Sequence, residues 1–208
     1  MRRLISSVRG IDASCIGTQR WQGEYERLAD ATGVVALIAS AASDAAQARA
    51  LCDLLHAGGF STLSVEAGAP AGLDALVPRL VEALDWLRDS GACASVGVFG
   101  RGVAGNAALR AAALRPALVA ALVAQDASPD ALLDELPRVR AATLLVVGDD
   151  DAALLLAQRR ALPLLGGARR LEIVPRASAA RADRVATQAV GHLATQWFAQ
   201  QLPLRHLH

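Results

Sequence analysis

From Gly33 onward, short runs of apolar residues alternate with longer segments of helical periodicity. Most of the short runs are continuously apolar, which is typical of strands that are buried on both faces of a sheet. Strands and helices that alternate in this way form a parallel sheet with helices on both faces. Six such strands are predicted: Val34–Ala39, Phe60–Glu66, Ser95–Phe99, Leu118–Gln125, Thr143–Val147 and Leu171–Val174.

The segments between these strands carry helix signals. In one of them Leu76, Leu80 and Leu84 share a face, and another ends at the helix-stopping pair Gly58-Gly59. The predicted helices are Ser43–Ala57, Leu73–Arg88, Asn106–Leu114, Ala152–Leu162 and Asp183–Gln200.

The first 32 residues contain no helical segment. Two β-like runs, Arg3–Arg9 and Ser14–Glu26, predict an antiparallel pair at one sheet edge, joined by a turn near Gly10. The sequence therefore predicts eight strands, of which the last six are parallel.

Length and composition limit the class of protein. A chain of 208 residues with 53% apolar residues can bury one core, so we predict a single domain over residues 1–202 and a tail over residues 203–208. A net charge of +1 argues against nucleic acid as a partner, and no apolar stretch of membrane-spanning length argues against a membrane. The absence of lysine excludes Schiff-base chemistry. Three scattered cysteines and the lack of a signal peptide predict a cytoplasmic location.

A glycine-rich turn follows the strand Ser95–Phe99. Gly100–Gly105 reads G-x-G-x-x-G, and Asp126 lies 21 residues after Gly105, which fits a dinucleotide-binding fingerprint. The same glycines also fit a tightly packed strand–turn–helix. The dinucleotide fingerprint normally opens on the first strand of its fold, whereas these glycines follow the fifth predicted strand.

The chain resembles the dienelactone-hydrolase-like members of the α/β-hydrolase family over about residues 33–200. The resemblance implies an eight-stranded, mostly parallel sheet with helices on both faces and no lid, since only residues 126–142 separate the sixth and seventh strands. The segments that carry it are Leu54–Leu63, Val81–Arg88, Val96–Leu109, Arg115–Ala121, Leu136–Gly148, Gln158–Leu162 and Arg170–Pro175.

The resemblance departs from the family at the catalytic positions. The nucleophile elbow G-x-S-x-G corresponds to Gly100–Ala104, so Gly102 stands in place of the serine. Asp151 fits the position of the triad acid, whereas Ala179 stands in place of the histidine. The usual oxyanion segment H-G-x-G is replaced by Ala39–Ala42. The resemblance thus implies a hydrolase scaffold with one of its three triad residues.

Several residues near the same turn are candidates for ligand binding. Ser40 and Ser178 are expected to face the pocket, beside Gly102 and Val103 of the elbow. Arg101 would suit an anion such as phosphate or carboxylate, because it lies next to the start of a helix.

Acidic residues near the elbow offer another interpretation. Arg101 could instead pair with Asp149 or Asp151. We predict that the acidic run Asp149–Asp151 is solvated and that Asp151 caps the helix that follows, with no metal bound.

No histidine is predicted to replace the missing base. His56 lies at a helix end away from the carboxyl ends of the strands, and His192 lies at the margin of the apolar face of the last helix. His206 and His208 belong to the terminal tail.

The leading hypothesis is a hydrolase-like protein without hydrolase activity and without a cofactor. It would act by binding a small molecule, a protein partner or a second copy of itself. Two alternatives stay open: an active hydrolase or transferase that uses non-standard residues, and nucleotide binding through Gly100–Gly105.

Overall fold

A computed structural model describes residues 11–18, 20–38, 45–66, 72–175 and 180–202. The strands are β1 (Ile11–Gly17), β2 (Gln22–Leu28), β3 (Gly33–Ile38), β4 (Phe60–Glu66), β5 (Val96–Arg101), β6 (Val119–Gln125), β7 (Ala142–Gly148) and β8 (Arg169–Val174). The helices are α1 (Ala45–Ala57), α2 (Leu73–Asp89), α3 (Val103–Leu114), α4 (Ala152–Ala161) and α5 (Ala180–Gln201).

All eight strands form one sheet, in the order β1-β2-β4-β3-β5-β6-β7-β8. The strands β3 to β8 are parallel, whereas β1 pairs antiparallel with β2, and β2 antiparallel with β4. This confirms the predicted sheet of eight strands, with six parallel strands and an antiparallel pair at one edge.

The N-terminal hairpin differs from its prediction. Ser14–Glu26 is not one strand, because the chain reverses between Gly17 and Gln22. A Cβ atom on Gly17 would lie 2.3 Å from the carbonyl oxygen of Trp21, so the turn is too tight for a side chain there. The predicted strand Arg3–Arg9 and the turn near Gly10 lie outside the described residues. The tail 203–208 also lies outside them, and the single-domain boundary stays a prediction.

The core consists of two layers, one on each face of the sheet. Leucines of α2 and alanines of α3 pack on one face, and α1 and α5 pack on the other. Every residue of β3 and of β7 is buried, which confirms that continuous apolar runs mark strands covered on both sides.

Two glycines allow α1 and α5 to pack closely. A Cβ atom on Gly191 of α5 would lie 2.4 Å from Leu54 Cδ1, and a Cβ atom on Gly58, just after α1, would lie 2.4 Å from Thr195 Cγ2. A side chain at either position would have to displace the facing side chain or move the helices apart.

The connection between β6 and β7 is short. Residues 126–141, which are described throughout, contain two short 3₁₀ helices, Pro129–Leu132 and Leu136–Arg138, and no lid domain. Among the helices of the described ranges, none combines the length and the apolar character that crossing a membrane requires.

Candidate functional site

The turn between β5 and α3 has the backbone geometry of a nucleophile elbow. Gly102 adopts φ 58° and ψ −124°. This conformation is strained for residues that carry a side chain, whereas glycine adopts it readily. Its amide donates a hydrogen bond to the carbonyl oxygen of Gln125 at 2.8 Å, which ties the turn to the end of β6. A Cβ atom on Gly102 would meet no other heavy atom within 4 Å. The place where a nucleophilic side chain would project is therefore open space.

The other glycines of the turn are required by close packing. A Cβ atom on Gly100 would lie 2.3 Å from the carbonyl oxygen of Ala104, and one on Gly105 would lie 3.0 Å from Ala127 Cβ. The helix α3 begins at Val103, three residues before its predicted start at Asn106. Close packing thus explains Gly100 and Gly105, and the positive φ explains Gly102.

Arg101 pairs with a different acid from the one predicted. Its Nε lies 3.4 Å from Asp126 Oδ2, and its Nη1 donates to Gln47 Oε1. The predicted pairing with Asp149 or Asp151 is wrong, because β5 lies beside β6, whereas those acids follow β7, one strand further away.

Asp126 also belongs to the site, because it holds Arg101, although the sequence analysis does not place it there. It directly follows β6 with φ 49°, its amide donates to the carbonyl oxygen of Val146 at 2.8 Å, and its side chain is 11% exposed. Its carboxylate also accepts a hydrogen bond from Gln125 Nε2 at 3.3 Å. The signal in the sequence is an acidic residue immediately after a buried strand, and it also fits a dinucleotide fingerprint.

Asp151 acts as a helix cap. Its Oδ1 accepts a hydrogen bond from the amide of Leu154 at 2.8 Å, at the start of α4, and the residue is exposed. This confirms the predicted capping role of Asp151.

A cavity of about 70 Å³ lies between α1 and α5, at the carboxyl ends of β3 to β6. Since β3 has β4 on one side and β5 on the other, the cavity lies where the strand order reverses, which is where open α/β sheets bind ligands. Its lining is Leu37, Ile38, Gln47, Ala48, Leu51, Ser64, Val65, Phe99, Arg101, Gln125, Thr187, Val190 and Gly191.

The predicted site residues are only partly brought together here. Arg101 lines the cavity, whereas Gly102, Val103 and Asp151 are not among its described lining residues. Ser40, Ser178 and Ala179 lie outside the described residues, as does the oxyanion segment Ala39–Ala42.

The cavity wall is mostly apolar. Its described polar groups are one guanidinium, held by Asp126, together with the amides of Gln47 and Gln125 and the hydroxyls of Ser64 and Thr187. Sequence reasoning missed Gln47, Ser64 and Gln125, which lack any motif and come from three separate elements. Such a lining suits a small, largely apolar ligand with one or two polar groups.

Cys52 is a cysteine close to this cavity. Its Sγ lies 3.4 Å from Ser64 Oγ, and burial raises the pKa of its thiol. The thiol is therefore protonated at neutral pH, so it is a poor nucleophile.

His56 lies in a buried polar cluster on α1 and the neighbouring strands, away from the carboxyl ends of the strands. Its Nε2 lies 2.9 Å from Thr62 Oγ1 and 3.8 Å from Glu26 Oε2, and Arg49 Nη1 lies 2.9 Å from Glu26 Oε1. Burial lowers the pKa of His56. The negative charge of Glu26 acts in the opposite direction, the positive charge of Arg49 lowers the pKa further, and the charge of Asp53 raises it.

This lowered pKa predicts sensitivity to acid. The unfolded chain binds a proton at His56 near pH 6.5, whereas the folded chain binds it only at lower pH, so the free energy of unfolding falls as the pH drops below about 6.5. His56→Gln should flatten this dependence in urea unfolding between pH 7.5 and pH 5. The matched control is His192→Gln, which removes an exposed histidine and leaves the buried one in place, so acid sensitivity should persist. An unchanged slope in His56→Gln would contradict the prediction.

Metal binding finds no support in the part of the chain that is described. No group of three or more His, Cys, Asp or Glu side chains there is arranged to hold a metal ion.

Known proteins resemble this chain in sequence and in fold. No protein-family model matches the chain. Two curated relatives, from two strains of Mycobacterium tuberculosis, are each named "Putative phosphoribosyl transferase" and are 31% identical over 165 residues. The match covers 74% of this chain but only 37% of each relative, so this chain spans little more than a third of their length.

Solved structures match almost the entire chain. Dienelactone hydrolase from Anabaena variabilis is 30% identical with a TM-score of 0.84, over 94% of this chain and 100% of that one. Est1E from Butyrivibrio proteoclasticus (14% identical, TM-score 0.74, 91% and 98% covered) shares the fold. So does an α/β serine hydrolase without a lid from Xanthomonas campestris (15% identical, TM-score 0.68, 93% and 96% covered). Because the identity to dienelactone hydrolase extends over that whole structure, the chain belongs to the α/β-hydrolase family, in its dienelactone-hydrolase-like branch.

Proposed function

We propose that this chain has lost acyl-transfer catalysis and acts by binding a small molecule in the cavity between α1 and α5. The observation that carries the proposal is Gly102, which keeps the strained elbow geometry but offers no nucleophile to the open space in front of it. Acyl transfer requires a nucleophile with a base within hydrogen-bond reach.

The remaining triad positions support the same conclusion. Asp151 already serves α4 as a cap, and alanine occupies position 179, where the family has its histidine. Of the two histidines in the described residues, His56 is buried beside Thr62 and Glu26, and His192 is an exposed residue of α5.

The cavity provides what a binding protein needs. Leu37, Leu51, Phe99 and Val190 supply apolar surface, and Arg101 supplies hydrogen-bond donors beyond those used by Asp126 and Gln47. A ligand would bury apolar atoms against the helices and orient one polar group toward Arg101.

A cavity-filling variant tests this proposal. A thermal-shift panel of small esters, lactones, carboxylates, NAD, FAD and ATP is measured on the wild type, on Ala48→Leu and on Ala46→Leu. Ala48 lines the cavity, whereas Ala46 is exposed on the same helix and provides the matched control. A ligand at 100 times its Kd should add about 2.7 kcal/mol to the free energy of unfolding of the wild type and the control, and much less to Ala48→Leu.

Two outcomes would contradict the proposal. Binding that survives Ala48→Leu unchanged would place the ligand elsewhere, and stabilisation by NAD, FAD or ATP that is insensitive to Ala48→Leu would favour the nucleotide alternative at Gly100–Gly105. The panel also includes phosphoribosyl pyrophosphate, because of the name of the mycobacterial relatives.

A further inference from the structure

The strand β8 ends the sheet opposite the N-terminal hairpin. It pairs with β7 on one side, and no strand of the described residues pairs with its other side. An open edge presents unpaired N–H and C=O groups that can add a further strand.

The hydrogen bonds to β7 identify the groups on the open edge. The amide of Thr143 donates to the carbonyl oxygen of Ala168, and the amide of Asp149 donates to that of Val174. Since alternate residues of a strand direct their backbone groups to the same side, Arg169, Leu171 and Ile173 direct theirs outward.

The side chains of β8 are self-complementary. When two copies pair antiparallel about a two-fold axis at Leu171, Arg170 of each copy lies opposite Glu172 of the other. These residues form a non-hydrogen-bonded pair, in which cross-strand side chains are closest. The outward-directed residues form the hydrogen-bonded pairs: Leu171 with its own copy, and Arg169 with Ile173 in both directions.

Exposed apolar side chains occur on this strand and on the segment that leads to it. Five large apolar side chains of the described residues are exposed, and three of them, Leu156, Leu164 and Ile173, belong to the segment from α4 to β8. Ile173 is 43% exposed on the strand itself. The other sheet edge differs, because β1 carries Asp12 and no basic residue, so two copies of β1 have no opposite charges to pair.

We propose that β8 is a self-association surface. Two copies of this chain pair their β8 strands antiparallel there, so that their two sheets form one continuous sheet. Arg170 and Glu172 already pair within one strand, and in the dimer each exchanges this partner for its counterpart on the other copy. The interface lies two strands beyond β6, so it does not depend on the cavity or on the function proposed for it.

Light scattering after size exclusion tests the interface through charge reversal. The wild type is expected to show a molar mass that approaches twice 21.6 kDa as its concentration rises. Glu172→Arg places like charges opposite each other and should give a monomer at every concentration. The double variant Arg170→Glu with Glu172→Arg restores opposite charges across the axis and should dimerise again. Asp12→Arg, an acidic-to-basic change on the other edge, should leave the dimer intact.

Each outcome decides for or against the proposal. A wild type that is monomeric at all concentrations overturns it. A dimer that persists in Glu172→Arg, or that is lost in Asp12→Arg, places the interface elsewhere and overturns it as well. Circular dichroism of each variant shows whether it is folded, and rescue by the double variant excludes a monomer caused by misfolding of Glu172→Arg.

Discussion

Purified protein is expected to turn over small activated esters and lactones no faster than buffer alone. Loss of triad members costs on the order of 10⁶-fold in turnover. The proposed function places Gly102 at the position of the nucleophile and Ala179 at that of the base, so both groups would be missing. Release of nitrophenol from its acetate ester, together with labelling by a fluorophosphonate probe, measures this directly. Turnover that survives stringent purification and is blocked by the probe would contradict the proposed loss of catalysis.

Two variants refine this expectation. Gly102→Ser should stay inactive, because a serine hydroxyl without a base is not activated. Gly102→Ser combined with Ala179→His is the variant in which weak turnover is expected, provided that Asp151 exchanges its capping bond for the imidazole. Activity of Gly102→Ser alone would reveal a base that the described residues do not show.

The second large effect concerns stability at the elbow. Gly100→Ala should lower the free energy of unfolding by about 3 kcal/mol or more, because its Cβ atom would lie 2.3 Å from the backbone oxygen of Ala104. Gly102→Ala is the matched comparison, since its Cβ atom meets nothing within 4 Å and only its positive φ opposes the change. A loss of about 1 kcal/mol or more is expected there.

Urea unfolding with linear extrapolation measures both values. If Gly102→Ala is neutral or stabilising, the turn is not strained and its equivalence to a nucleophile elbow is wrong. If Gly100→Ala lowers the free energy of unfolding by no more than Gly102→Ala does, the start of α3 can move away from the added Cβ atom, and the expected clash with Ala104 is wrong.

The parallel part of the fold could be predicted because most of its strands consist largely of apolar residues, which indicate burial on both faces. Every residue of β3 and β7 is buried, so each reads as an unbroken apolar run. The β1–β2 hairpin gave no such signal, since its residues are partly exposed and its tight turn depends on contact between Gly17 and Trp21. That contact exists only once the chain has reversed.

In the candidate site, too, the features that depend on local sequence could be predicted, and those that depend on the arrangement of the strands could not. The position of Gly102 follows from a local strand–turn–helix pattern, and the capping role of Asp151 follows from a local sequence preference. The partner of Arg101 depends on which strands are neighbours in the sheet, and a single sequence does not state that order. The cavity lining depends on it as well, because Gln47 and Ser64 reach it from separate elements.

The glycines at the α1–α5 contact make the width of the cavity a property of the backbone. In most pockets a bulkier wall residue leaves less room, but Gly191 is both a wall residue and the spacer that holds α5 against Leu54. A bulky residue at position 191, or at position 58 against Thr195, must either displace the facing side chain or separate the two helices, and separation would widen the cleft rather than fill it. The size of ligand that the proposed binding site admits can therefore change through the separation of two helices, as well as through the bulk of the side chains that line the cavity.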